Sequence, residues 1–103
     1  MSNQSRLERY LLIAAFLSAV CGDHYEVILH DVSDPETSVV AIFNGHLSGR
    51  KVGDPMTELA RRLVRDEVYR DRDFVSNYEG RTRSGKRFVS STYFIKEDGE
   101  LLG

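Results

Sequence analysis

The sequence predicts an α+β domain with an antiparallel sheet and helical material on its faces. Three observations predict it: an apolar run at helical spacing opens the chain, strand-like runs follow in pairs joined by short turn clusters, and a second helical repeat separates the two pairs. The crossing between the halves is the stretch from Asn44 to Leu59, where Gly45, Gly49 and Gly53 break the chain before it restarts as a helix. Asp54 stands where an N-cap is expected, and Pro55 at the first helical position, where a missing N–H costs nothing.

The opening run carries Leu7, Tyr10, Leu11, Ala14, Leu17 and Cys21 at the i, i+3, i+4, i+7 spacing of an amphipathic helix. Ile13, Phe16 and Val20 add a second apolar face, which needs a second surface to cover it and so points to a partner. Arg6 and Arg9 before an apolar run ending Ser-Ala-Val-Cys-Gly superficially resemble a secretory signal. Glu8 interrupts the positive region, and Val20 is too large for the position before a cleaved bond. The run also falls short of the roughly 20 apolar residues of a membrane span. A cytoplasmic core or dimer helix is the better reading.

Gly22 ends this helix, and Tyr25 to Val32 reads as a strand. The turn cluster Ser33-Asp34-Pro35-Glu36 leads to a second strand, Ser38 to Phe43, giving an antiparallel hairpin. Beyond the crossing, Met56, Leu59, Ala60, Leu63, Val64 and Val68 predict a helix with a wet face of Arg61, Arg62, Arg65 and Glu67. The mixed charges from Arg61 to Asp73 read as a solvated face. Strands return at Tyr78 to Thr82 and Arg87 to Ile95, with a turn at Arg83-Ser84-Gly85 between them. Glu97-Asp98-Gly99 is a further hairpin turn, and Leu101-Leu102-Gly103 after it is short for a strand. The chain is therefore expected to be a fragment of a longer protein.

Composition bounds the function. A chain of 103 residues with 41% hydrophobic and 29% charged residues fits one ordinary globular domain. Its net charge is -2, from 14 basic and 16 acidic side chains interspersed along the chain, so no basic stripe offers itself to nucleic acid. Cys21, the lone cysteine, cannot form an internal disulfide and reads as a small buried hydrophobe. His24, His30 and His46 match no compact zinc spacing, so no metal is expected. No nucleophile elbow, phosphate loop, dinucleotide fingerprint or His-Glu-x-x-His pair is present, so no catalytic residue is assigned. The segment Ser48 to Gly53, with Arg50 and Lys51, reads as a linker, not an anion cradle. Adjacent His30 and Asp31 face opposite ways on a strand and cannot form a dyad on one face.

What remains is polar groups set in apolar strands: His30, Asn44, Ser90, Ser91 and Thr92. Buried polar groups need partners, within the core or on a ligand. Phe88, Ser90, Thr92 and Phe94 share one face of their strand, where two hydroxyls between two phenylalanines leave space with polar handles. His30, Asn44, Ser90 and Thr92 are therefore the candidate ligand contacts.

The segments Tyr-Glu-Val-Ile-Leu-His-Asp-Val (25–32), Asn-Gly-His-Leu-Ser-Gly-Arg-Lys-Val-Gly-Asp-Pro-Met-Thr (44–57), Asn-Tyr-Glu-Gly (77–80) and Ser-Gly-Lys-Arg-Phe-Val-Ser-Ser-Thr-Tyr-Phe-Ile (84–95) resemble the YheO-like PAS domain family, from about Leu7 onward. The resemblance implies a PAS-like antiparallel five-stranded sheet with an N-terminal helix and helices between the second and third strands. It also implies the sensor part of a bacterial transcription regulator whose helix-turn-helix DNA-binding domain lies outside this chain. Nothing resembles a flavin cysteine loop or a dedicated haem-ligand pattern, and the cofactor stays unknown. The expected function is small-molecule sensing between sheet and helices, with homodimerisation through Leu11, Ile13, Phe16 and Val20. Two rivals stand beside it: a filled structural dimerisation module, which no metabolite would stabilise, and a small enzyme using His30 or His46 as a base, which would turn over a substrate.

Overall fold

A computed structural model describes residues 3–81 and 84–103 of the chain. Its order begins with helix α1 (Asn3–Leu7), a 3-10 turn (Glu8–Tyr10) and helix α2 (Leu11–Cys21). Strands β1 (Val27–His30) and β2 (Val39–Phe43) follow, then helix α3 (Glu58–Arg65). Strands β3 (Phe74–Arg81), β4 (Arg87–Tyr93), β5 (Lys96–Glu97) and β6 (Glu100–Leu101) complete it. The described residues group into two units: residues 3–56 with Leu102–Gly103, and residues 57–81 with 84–101.

The first unit joins α1 and α2 to the β1/β2 hairpin. The expected continuous helix is interrupted at Glu8–Tyr10, where the tighter 3-10 winding, 3.0 rather than 3.6 residues per turn, shifts the faces on either side. The stripe read from Leu7 to Cys21 therefore does not stay in line. Leu7 and Ala14 are buried, whereas Leu11, Leu17 and Cys21 are exposed. The expectation of a buried Cys21 is thus corrected: it closes α2 beyond the buried part of the stripe. Gly22 ends α2 as expected, at φ 87, with its N–H on the Ser18 carbonyl at 3.0 Å.

β1 and β2 pair antiparallel, Ile28 opposite Ile42 and Leu29 opposite Ala41, before a register shift sets His30 opposite Val39. The Val39 N–H donates to the Asp54 carbonyl and its own carbonyl accepts from Gly53, which straps the glycine-rich crossing along β2. On the other side, the Val32 N–H reaches the carbonyl of the fully buried Leu102 at 3.1 Å. Gly103 lies so close that a Cβ there would overlap the His30 carbonyl oxygen.

The N-terminus of α3 also departs from expectation. Thr57, not Asp54, is the N-cap, its Oγ1 accepting the Ala60 N–H at 3.2 Å. The Met56 N–H is drawn to the Pro35 carbonyl at 2.8 Å, which keeps Pro55-Met56 out of the helix, and Asp54 accepts the Lys51 N–H instead. The helix stops at Arg65 rather than Val68 because Glu67 takes a left-handed conformation (φ 53).

In the second unit β3 and β4 form a long antiparallel ladder, Phe74 opposite Tyr93 and Tyr78 opposite Ser90. β3 begins earlier than the expected Tyr78; Thr82 of that expected strand and Arg83 of the expected turn lie outside the described residues. The ladder shifts register between Val75 and Tyr78, where Asn77 (φ 57) donates its N–H to Ser91 Oγ at 3.0 Å. β5 and β6 close on Asp98-Gly99, both at positive φ (52 and 78), the pairing a tight hairpin turn demands.

The fold is therefore mixed α/β, with an N-terminal helix and a helix between the second and third strands. The expected single five-stranded sheet is corrected: the described strands form three two-stranded antiparallel ladders. Two residues separate β4 from β5, which pairs with β6.

One side chain holds much of the second unit. The Lys96 ammonium donates to the carbonyls of Tyr69 (2.8 Å) and Arg72 (3.2 Å) and lies 3.3 Å from an Asp73 carboxylate oxygen, neutralising the end of the 3-10 turn Val68–Arg70. Beside it Phe94 packs edge-on to Tyr69, with ring centroids 6.4 Å apart. Lys96→Met keeps the stem and removes the charge, and is expected to cost about 1–2 kcal/mol in urea denaturation. A loss below about 0.5 kcal/mol would show that the cap is dispensable.

Candidate functional site

An open cleft of about 450 Å³ lies in the first unit. Leu7, Glu8 and Leu11 form one wall, contributed by the end of α1, the 3-10 turn and the start of α2. The hairpin supplies Leu29, Val39 and Val40, and Thr37 precedes them in the connection between the strands. Val52 and Gly53 close the rim from the crossing. The volume is within the range of small-molecule sites, and the lining has the usual composition, mostly apolar with few polar groups. None of these residues was read from the sequence as a ligand contact, since attention went to polar groups in strands; Leu11 was expected at the dimer interface instead. The available signals were Val52, a large apolar residue in a glycine-rich break, and Glu8, a charge set in an apolar run.

The four candidates read from the sequence lie outside that wall. His30 and Asn44 belong to the first unit, Ser90 and Thr92 to the second. His30 Nδ1 and the hydroxyl of the fully buried Ser38 share a hydrogen bond of 2.8 Å. Burial, and then the nearby Arg50 guanidinium, push the imidazole down to about 4 from its ordinary 6.5, so the ring is neutral at pH 7. Arg50 itself donates to the Pro55 carbonyl, while Ser48 donates to Glu26.

Asp31, next along the chain, is buried and points to other partners. Its Oδ1 accepts from the Ser33 hydroxyl (2.6 Å), the Ser33 N–H (2.9 Å) and the Asn3 amide (3.2 Å). Burial pushes this carboxyl up, and the three donors outweigh burial and hold it below the usual range. His30 and Asp31 thus make separate networks, as their alternation on the strand requires.

Asn44 sits at the end of β2 in a left-handed conformation (φ 61) that asparagine tolerates better than most residues. Its amide nitrogen faces the carbonyls of Tyr25 (2.8 Å) and Gly22 (3.2 Å) and the Ser18 hydroxyl (3.3 Å). In the second unit, Thr92 Oγ1 bonds the Tyr78 hydroxyl at 2.5 Å, and Ser90 stands opposite Tyr78 in the ladder. Ser90 and Thr92 share the less exposed side of β4, while Val89, Ser91 and Tyr93 are exposed.

Among the described residues no three His, Cys, Asp or Glu side chains converge on a point able to hold a metal ion. No described helix is long and apolar enough to cross a membrane.

A small mixed α/β domain, with paired antiparallel strands, an N-terminal helix and an apolar cleft, is consistent with a PAS-like domain, a class generally sensory or regulatory and typically not enzymatic. The chain belongs to the YheO-like PAS domain family, whose model matches residues 1–103. It is 34% identical over 90 residues to the uncharacterized protein YheO of Escherichia coli (strain K12), covering 87% of this chain and 38% of that protein. It is 38% identical over 100 residues to an uncharacterized protein of Haemophilus influenzae (strain ATCC 51907 / DSM 11121 / KW20 / Rd), covering 97% of this chain and 38% of that protein. The chain thus spans well under half the length of these curated relatives. No solved structure matches it.

Two outcomes follow from the polar networks. Asn44→Ala removes the amide and places alanine at positive φ, so a loss of about 2–3 kcal/mol is expected in chemical denaturation. Asn44→Gly, which relieves the backbone strain, should recover only part of it. For His30, the unfolded ring takes a proton near pH 6.5 and the folded ring only near 4. Stability from this group is therefore full above pH 6.5 and falls as the pH drops toward 4, by up to about 3 kcal/mol. His30→Gln should flatten the stability profile between pH 6.5 and 4.5, and an unchanged slope would remove His30 as its source.

Proposed function

We propose that this chain is the ligand-sensing and dimerising domain of a cytoplasmic bacterial transcription regulator. A small molecule is held in the cleft of the first unit, and DNA is contacted by a part of the longer protein outside this chain. The observation that carries the reading is the position of Leu11, which lines the cleft and is also the first residue of α2. A ligand in the cleft touches the helix whose other face, Ile13, Phe16 and Val20, is left open at 56–66% exposure. An uncharged helix with such a face suits a second copy of itself better than a charged partner. Binding then shifts regulation through its differential affinity for two arrangements of that helix.

In this reading His30 and Asn44 position the site. His30 adjoins Leu29 in the cleft wall and bonds Ser38, which adjoins Val39. Asn44 fixes the end of α2 to the hairpin. Ser90 and Thr92 do not line this cleft and are given no contact with its ligand, so Ser90→Val and Thr92→Val should leave ligand binding there unchanged. Family membership supports the regulatory character, and the greater length of the relatives supports a further functional part.

Native mass spectrometry of the purified chain, beside its denatured mass, is the test. A dimer with a reproducible excess mass is the expected result. Phe16→Asp should convert the dimer to monomer at micromolar concentration, a weakening of at least about a hundredfold if this side chain is a central anchor. An unchanged dimer would move the interface away from α2. A dimer that no metabolite stabilises would leave a structural module in place of a sensor.

A further inference from the structure

We propose that the cleft of the first unit selects small molecules that join an apolar body to a cationic nitrogen, and that Glu8 makes the selection. The proposal rests on the sensor reading of this cleft. Leu7, Leu29 and Val39, all buried, give a ligand an apolar floor, which supplies affinity without direction. Discrimination falls to the polar groups of the wall. Two polar side chains are present there, Thr37 and Glu8. The Thr37 hydroxyl already donates to an Asp34 carboxylate oxygen at 2.7 Å, so its hydrogen is taken.

Glu8 is different. Its carboxylate is the one acidic side chain among the residues that line the cleft. It stands in the 3-10 turn between Leu7, which is buried at 1% exposure, and Leu11, which is exposed. The charge therefore sits toward the mouth while the apolar surface lies deeper. A carboxylate only accepts hydrogen bonds, so an ammonium group at the mouth gains donors matched to it, a neutral hydroxyl gains less, and an anion is repelled. Because Glu8 is exposed, its charge costs little to keep and the pair it forms is modest, a preference of about fivefold.

The test is an NMR titration of the whole chain at low ionic strength and pH 7 with three probes of matched shape: 2-phenylethylamine, 2-phenylethanol and 3-phenylpropionate. The expected result is shifted amide signals at Leu11, Val39, Val40 and Gly53, with the amine bound tightest and the acid weakest. Glu8→Gln, at an exposed position, should lower the amine's affinity about fivefold and leave the alcohol's unchanged. Moderate salt should weaken the amine alone. Probes that reach the cleft with equal affinities, or an amine indifferent to Glu8→Gln, would overturn the charge selection and leave the sensor reading standing. Shifts absent from the cleft with all three probes would overturn both.

Discussion

At the seam between α2 and the hairpin, one amide group does the joining. The Asn44 nitrogen has two hydrogens and faces three acceptors drawn from the last turn of α2, the glycine that ends it and the residue leading into β1. The carbonyls of Gly22 and Tyr25 belong to the short connection between α2 and β1; Gly22 also accepts the Tyr25 N–H at 3.3 Å, and the amide adds a donor to each. The left-handed backbone of Asn44 aims the side chain back across the chain and turns the main chain into Gly45–Leu47. At Gly45 a Cβ would meet the Arg50 carbonyl oxygen at 2.8 Å, so the crossing folds tightly against its own start. The cleft depends on this arrangement, because the crossing brings Val52 and Gly53 back beside Val39.

The apolar surface is divided unusually for so small a unit. Leu7, Leu29, Val39, Met56 and Leu102 are buried, yet Leu12, Ile13, Phe16 and Val20 stand at 56–83% exposure on one short helix. Burial of such side chains is worth about 1.5–3 kcal/mol each, so leaving several in water forgoes more stability than many domains possess. A helix that accepts this cost is shaped by more than the stability of its own unit. The cleft and the open face share α2, so occupancy at one and cover at the other are two demands on the same eleven residues.

Patterns that depend on near neighbours were legible in the sequence. The hairpin pairing of β1 and β2, the glycine stop at Gly22, the repeat through Leu59, Leu63 and Val64 and the Asp98-Gly99 turn are all written within a few residues of where they act. What escaped depends on distant partners. Thr57 displaced Asp54 as N-cap because Pro35, far back in the chain, claims the Met56 N–H. Cys21 is exposed because it closes α2 beyond the buried part of the helix, and the 3-10 turn that sets Leu7 out of line with α2 is announced by no residue type. The candidate site divides the same way: Asn44 and His30 stood out as polar groups among apolar neighbours, and their partners prove to be the protein's own carbonyls and hydroxyl. The cleft wall gathers apolar residues from separate stretches, each ordinary in its local context.

The irregularity in β3 bears on how readily another strand could extend this hairpin. The Asn77 N–H is taken by the Ser91 side chain instead of a strand carbonyl, and the register shifts there. A bulge of this kind bends and twists the strand, so its free edge is a poor template for another strand to extend. Phe74, Val89 and Tyr93 are exposed on this hairpin, the composition that in a flat ribbon invites sheet-to-sheet stacking into fibres. The bulge therefore opposes growth by strand addition along this hairpin's edge.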